Sequence, residues 1–385
     1  MAIIPNDLIA LYELFASFES AALFTDDLIE ELPLICILTN VEGQIIRINS
    51  YGEEYFYRKK YDVVGTNLTQ LVSENARQSF SDYIEGLKHD PSLSLSYIEQ
   101  NEEEYINWKS LVIRSPNART PIVVVLGDDV TETVTLKSSV LSARTVQKAL
   151  LPVSFEVEGV TLRWVYESAE ATGGDWFDYL FDEERNRLIV CIADVNGHGT
   201  AAAMVTGCVA GLFRGVLKTL LAPEFDGKRL DLFASSLNNG IYDILQRANR
   251  LLTLAIIEID LNTGDGHYVS CGHPRVMLFG KNKVKGLLNR NGPIGVTENQ
   301  KFQGTAFHLP EDESLFLYTD GLIENEDISG KRLTSRDLRL ILGGRNVPDL
   351  KYNKLRHFVK SLDCVSPFND DVAFVIVTRD PKEGG

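Results

Sequence analysis

Four times in the C-terminal part of the chain, an apolar run begins or ends on an aspartate beside glycine or another turn former. The four are Asp175 in ATGGDWFD, Asp194 in CIADVNGHG, Asp320 in FLYTDGLIE, and Asp370, with Asp371, in FNDDVAFVIV. A single Asp beside Gly is a turn or cap residue. Four in the same relation to strand ends ask for more. Strand ends share one rim of a sheet, where carboxylates can converge, and glycine lets backbone and cations come close. Hard dications such as Mg²⁺ and Mn²⁺ take oxygen ligands in octahedral geometry, and the lack of paired His or Cys ligands argues against zinc. A net charge of −16 suits such a centre, and it speaks against nucleic acid or an anionic membrane as partner, since both are bound by basic patches.

At 385 residues, with 44% apolar and 24% charged, the chain has room for two ordinary globular domains. Residues 1–27 form an N-terminal segment with Leu8, Leu11, Leu14, Phe15, Phe18 and Ala22 at helical spacing, an amphipathic helix. The start carries no basic lead or small-residue cleavage site, and no apolar run approaches the roughly 20 residues of a membrane span, so a cytoplasmic protein is expected. The cysteines, Cys36, Cys191, Cys208, Cys271 and Cys364, are odd in number and far apart, without a CxxC pair, and read as buried free thiols.

From 28 to 132 the pattern is a hairpin turning at Glu42-Gly43, two or three short helical segments to about Lys88, then three β-rich runs. The run LICILTNVEGQIIRINSYGEEYFYRKKYDVVGTNLTQLV, with its Asn after the hairpin, Gly65-Thr66-Asn67, and the closing Asp129 to Glu132, resembles PAS domains. That resemblance implies a sensor module. No Cys stands in its helical middle for a flavin adduct and His89 sits in a loop beside Asp90-Pro91, so its ligand is unassigned.

Residues 133–152 form a linker helix in which Leu136, Val140, Ala143, Gln147 and Leu150 alternate spacings of four and three. Under three heptads cannot make a coiled coil alone. The stripe fits a packed linker, or a helix that pairs across a homodimer and carries the sensor's state onward. Pro152 ends it. From 153 to 385, apolar runs including RLIVCIADV, LTLAIIEIDL, HYVSCGH, SLFLYTDG and DVAFVIVTR are joined by short turns, with two helical stretches, 199–221 and 228–249, between them. Antiparallel sheets with helices packed on them are expected, an α/β sandwich, so the class is α+β: N-terminal PAS domain, helical linker, C-terminal sandwich.

The second domain carries, in order, VQKALLP at 146–152, Gly173-Gly174-Asp175, Asp194-Val195-Asn196-Gly197-His198-Gly199, Gly272-His273-Pro274, Gly292-Pro293-Ile294-Gly295, Tyr318-Thr319-Asp320-Gly321 and Asp370-Asp371. This set resembles the metal-dependent protein phosphatases (PPM, or protein phosphatase 2C-like), and within them the sporulation-phosphatase and RsbU-like branch. The resemblance implies an α-β-β-α sandwich and two Mn²⁺ or Mg²⁺ ions per site. Asp194 would bridge them, the Val195 carbonyl and Asp175 would serve one, and Asp320 and Asp370 the other. Asp371, where relatives often have Asn, would act as a ligand or hold a ligand's water.

Because Val195 and Asn196 separate Asp194 from Gly197-His198-Gly199, His198 does not inherit the general-acid role of the eukaryotic histidine, and His273 is expected to shape a turn. Water activated between the metals would attack phosphorus of a phosphoserine or phosphothreonine. The implied substrate is a phosphorylated STAS-domain protein in a partner-switching pathway. The alternative is an inactive sensor or scaffold that binds the same partner.

Overall fold

The computed structural model describes residues 27–381 apart from 91, 102–103, 115–120, 154, 156, 221–228, 281–282, 289–290, 328, 344–347 and 363–368. The chain divides into two units, Met1–Ser138 and Ser139–Gly385. Almost all of the expected N-terminal amphipathic helix lies outside the described residues, as does Cys364.

In the first unit, β1 (Ile35–Thr39) and β2 (Ile45–Ile48) form the expected hairpin, with Gly43 at φ +82° in its turn. Helices α1 (Ser50–Tyr55), α2 (Lys60–Val63) and α3 (Glu74–His89) come next, then β3 (Ser96–Asn101), β4 (Glu104–Ile113) and β5 (Ile122–Asp129). All pairings are antiparallel, in the order β2-β1-β5-β4-β3. The Asn after the hairpin, Asn49, is fully buried. Its Oδ1 accepts from the N–H groups of Cys36 and Gly52, both at 3.0 Å, and its Nδ2 donates to the carbonyl of Leu34 at 2.9 Å. It thus caps α1 and pins the chain before β1. Phe80 of α3 and Trp108 of β4 centre the core beneath the sheet.

Helix α4 (Thr131–Ala149) crosses the boundary between the units. Its apolar stripe is not uniformly covered: Leu136 is 59% exposed, and Gln147 is its one buried residue.

In the second unit the strands are β6 (Val160–Glu167), β7 (Asp175–Asp182), β8 (Arg187–Val195), β9 (Leu252–Asp260), β10 (Asp265–Cys271), β11 (Met277–Gly280), β12 (Lys283–Gly286), β13 (Thr305–His308), β14 (Ser314–Tyr318) and β15 (Val372–Arg379). They make two antiparallel sheets, β13-β10-β9-β8-β7 and β12-β11-β14-β15-β6. Helices α5 (Gly199–Leu220) and α6 (Arg229–Ala248) cover the first. Helices α8 (Ser335–Gly343) and α9 (Pro348–Leu362), which come after the single turn α7 (Gly321–Glu324), cover the second.

Strand alternation explains the layering, because successive side chains point to opposite faces. In β8, Ile189, Cys191, Ala193 and Val195 join the core under α5 and α6, while Leu188, Val190 and Ile192 fill the space between the sheets. In β15, Phe374 and Ile376 face α8 and α9, while Ala373, Val375 and Val377 face the other sheet. These strands are therefore apolar on both faces, and the architecture is an α-β-β-α sandwich.

Two expectations change. Cys36, Cys191 and Cys271 are buried, but Cys208 is exposed, because it lies on the outward side of α5. That helix is also apolar enough over Gly199–Val216 to meet the length and composition of a membrane span. Here Ala202, Val205, Val209 and Phe213 of α5 pack into the core against the first sheet.

Candidate metal centre

The face between the sheets ends on polar residues. Along β7 and β8 the inward-pointing positions run Phe177, Asp175 and Ile192, Asp194, and these two aspartates pair directly across the ladder. From the opposite sheet, Thr319 continues the inward row of Leu315 and Leu317 on β14, and Asp371 that of Ala373 and Val375 on β15. One rim of the sandwich thereby gathers Asp175, Asp194, Asp320, Asp370 and Asp371. The Thr319 hydroxyl joins the two sheets there, donating to Asp175 Oδ2 at 2.7 Å and accepting from the Ala373 N–H at 2.8 Å.

Carboxylate oxygens of Asp320, Glu324 and Asp370 lie within 4.8 Å of one another. Glu324 is an addition to the aspartates that the sequence singles out. Its signal is the i, i+4 spacing in Asp320-Gly-Leu-Ile-Glu324, which puts both carboxylates on one side of a helical turn. Asn325 then secures the loop that presents Asp370. Its Nδ2 donates to the carbonyls of Gly321 and Asp370, both at 2.8 Å, and its Oδ1 accepts from the N–H of Asn369 and of Asp370.

Asp371 spends both oxygens on the backbone: Oδ1 accepts from the Ala169 N–H at 2.7 Å and Oδ2 from the Gly174 N–H at 2.5 Å. It organises the Gly173-Gly174 approach to Asp175. No side chain fits there, since a Cβ on Gly173 would lie 2.5 Å from Asp371 Oδ2 and one on Gly174 would lie 2.4 Å from the Val195 carbonyl oxygen. Gly174 thus leaves room for that carbonyl.

The electrostatics are those of a repelling cluster. Burial first, then the charges of Asp320, Asp370, Asp371 and Glu324, push Asp194 up to about 8. Asp320 is pushed up to about 6 by burial and by Asp370 and Glu324. Asp175 is raised well above the usual carboxylate range by burial and by Asp194, with the Thr319 hydroxyl opposing. Among the described residues, no lysine or arginine forms an ion pair with these carboxylates. An all-oxygen donor set of this charge fits hard dications.

Neither His198 nor His273 makes a hydrogen bond to these carboxylates. His198 Nδ1 pairs with Glu170 at 2.7 Å, and both side chains are about half exposed. His273 is buried and held down to about 3 by burial, its Nδ1 bonded to Thr253 Oγ1 at 2.8 Å. Since Thr253 pairs with Asp194 across β8 and β9, neutral His273 braces the turn behind the site.

The family model for Stage II sporulation protein E (SpoIIE) matches residues 184–380. Phosphoserine phosphatase RsbP of Bacillus subtilis is 30% identical over 183 residues, covering 47% of this chain and 44% of that protein. Protein IcfG of Synechocystis sp. is 26% identical over 207 residues, covering 47% of this chain and 32% of that protein. The chain thus spans less than half the length of either relative. Among solved structures, the SiaA-PP2C domain of Pseudomonas aeruginosa superposes with a TM-score of 0.53 at 14% identity, covering 66% of this chain and all of that domain, a likeness of fold. With the family match spanning more than half its length and the carboxylates converging on one rim of a PP2C-type sandwich, the chain belongs to the SpoIIE family.

Proposed function

We propose that the second unit is a metal-dependent phosphatase of phosphoserine or phosphothreonine in proteins, that the first unit is a PAS sensor, and that the substrate is a phosphorylated STAS-domain protein in a partner-switching pathway. The observation that carries this reading is the convergence of Asp175, Asp194, Asp320, Glu324 and Asp370 at the open rim, with no ion-paired lysine or arginine among the described residues to balance them. The PAS reading is supported by the β2-β1-β5-β4-β3 order with helices between β2 and β3, and by Asn49, whose buried amide ties the hairpin to α1.

Asp194 would be shared by two divalent cations, Mn²⁺ or Mg²⁺, with the Val195 carbonyl and Asp175 on one and Asp320, Asp370 and Glu324 on the other. Cations so held supply Lewis acidity to phosphoryl oxygens and make a water nucleophilic near neutral pH. The chain's own part is placement. Thr319 fixes Asp175, Asn325 fixes the Asp370 backbone, and Asp371 holds the Gly174 N–H just ahead of Asp175. Reduced cysteines buried in both units suit the cytoplasm.

The chain should release phosphate from phosphorylated STAS-domain proteins with Mn²⁺ and not with EDTA. Its kcat/KM should exceed that for free phosphoserine by roughly 100-fold, since remote binding energy is used in the transition state. Equal turnover of free phosphoserine would overturn the protein substrate. Mn²⁺ binding without release from any phosphoprotein would leave the inactive scaffold.

The reading includes a homodimer, through α4 and the first unit. Leu136 of the α4 stripe is 59% exposed, apolar surface for a partner helix to cover. Light scattering should give twice the chain mass of 43.0 kDa, and Leu136→Asp should return a monomer; a monomeric parent at micromolar concentration contradicts the pairing.

A further inference from the structure

Gln147 is an amide in a place where an apolar residue would be ordinary: it is the one buried residue of α4, in that helix's last turn. Its side chain grips both main-chain groups of a single residue. Nε2 donates to the Gly173 carbonyl at 2.5 Å, and Oε1 accepts from the Gly173 N–H at 3.0 Å. This is the pairing that a neighbouring strand would otherwise supply. Gly173 stands just ahead of β7, which is an edge strand of its sheet, and the helix completes that edge with one side chain.

Gly173 leads directly into the site. The Gly174 N–H donates to Asp371, the Gly174 carbonyl accepts from Thr206 Oγ1 at 2.9 Å and from the Val195 N–H at 3.2 Å, and Asp175 comes next. The end of α4 is fastened to the same region, since Leu150 and Leu151 pack on the core under α5 and α6, and the Leu150 carbonyl accepts from Trp176 Nε1 at 3.4 Å. If the last turn of α4 rotates or slides, two buried main-chain groups of Gly173 lose their partners. Such groups are expensive to leave unpaired, so the segment must rearrange with the helix.

We propose that Gln147 is a positioning residue that couples the docking of α4 to the cation affinity of the Gly173–Asp175 segment. The inference rests on the reading that the carboxylate rim binds divalent cations, and it adds the physical link by which a helix reaches that rim. Coupling of this kind is reciprocal: a docked α4 tightens cation binding, and bound cation holds α4 docked.

Titration calorimetry of the full chain with Mn²⁺ tests it. Gln147→Met keeps length and helix propensity and removes the amide. It should weaken Mn²⁺ binding by roughly 10–100-fold, as loss of a group that orients a ligand does. Gln147→Glu keeps only the acceptor for the Gly173 N–H, should weaken binding as well, and serves alone if the Met variant does not fold. Leu212→Ala, which thins the core under α5, should lower the melting temperature and leave Mn²⁺ affinity unchanged, separating positioning from general destabilisation.

In hydrogen exchange, Mn²⁺ should slow the last turn of α4 and Gly173 in the parent and not in Gln147→Met. Variants that bind Mn²⁺ within twofold of the parent overturn the coupling and leave the phosphatase reading standing. A parent that binds no Mn²⁺ overturns both.

Discussion

Asp194→Asn is expected to lower metal-dependent phosphate release by about 10³-fold or more and, at the same time, to make the metal-free protein more stable at pH 8. The first effect comes from position. Asp194 ends the inward row of β8, opposite Asp175 and among Asp320, Asp370 and Glu324, and it is the one ligand proposed for both cations. Removing a single preorganised group that stabilises charge already costs about 10²–10³-fold in turnover, and a shared ligand affects two ions. The second effect comes from repulsion. A carboxylate that its surroundings push up to about 8 is opposed by the fold when ionised, and a neutral amide relieves it. The gain should be about 1–3 kcal/mol in denaturant unfolding at pH 8 with EDTA. Loss of activity with gain of stability marks a site at which function is held against folding. If the variant loses both, Asp194 is structural.

The same charges set a pH dependence of stability. Ordinary aspartates titrate near 4, whereas Asp320 is pushed up to about 6 and Asp194 to about 8 in the fold. The folded state therefore prefers their protonated forms. Their stabilising contribution is complete below about pH 4, and it is lost as pH rises through about 6 and then about 8. In EDTA, unfolding free energy should fall across this window by a few kcal/mol, given about 1.4 kcal/mol for each pH unit by which folding displaces a titration, less solvent screening at the rim. Mn²⁺ should remove most of that fall, because the cation binds the ionised folded state. Stability that stays flat or rises between pH 5 and 8 in EDTA contradicts this electrostatic account.

Much of this arrangement is legible because strand periodicity is strict. Runs such as RLIVCIADV are apolar at every position only when both faces are buried, which announces a layered sandwich, and an aspartate at the end of such a run has to sit at its rim. Less is legible where a partner lies far along the chain. Thr319 looks like a turn residue until the sheets bring its hydroxyl to Asp175, 144 positions away. Gln147 reads as one more member of a heptad stripe, and its grip on Gly173 depends on where the helix ends in space. Helices α8 and α9 are missing from the expected elements although Leu338 and Leu342, and Leu355, Val359 and Leu362, keep helical spacing among basic and polar neighbours. Strand β7, DWFDYLFD, is hidden by its three aspartates. Asp175 is a proposed ligand, and Asp178 is paired with Arg214 at 2.7 Å.

The alternation of β8 has a genetic consequence. Asp194 reaches the rim because it shares parity with Leu188, Val190 and Ile192, and substitutions among those three alter packing without moving it. A one-residue deletion or insertion within the strand is different in kind. It turns every later side chain to the opposite face, delivering Asp194 to the helical layer and an apolar neighbour to the rim. Variation along this strand should therefore be rich in exchanges of one aliphatic residue for another and nearly devoid of changes in length. Length polymorphism belongs in loops that do not set the phase of an aspartate.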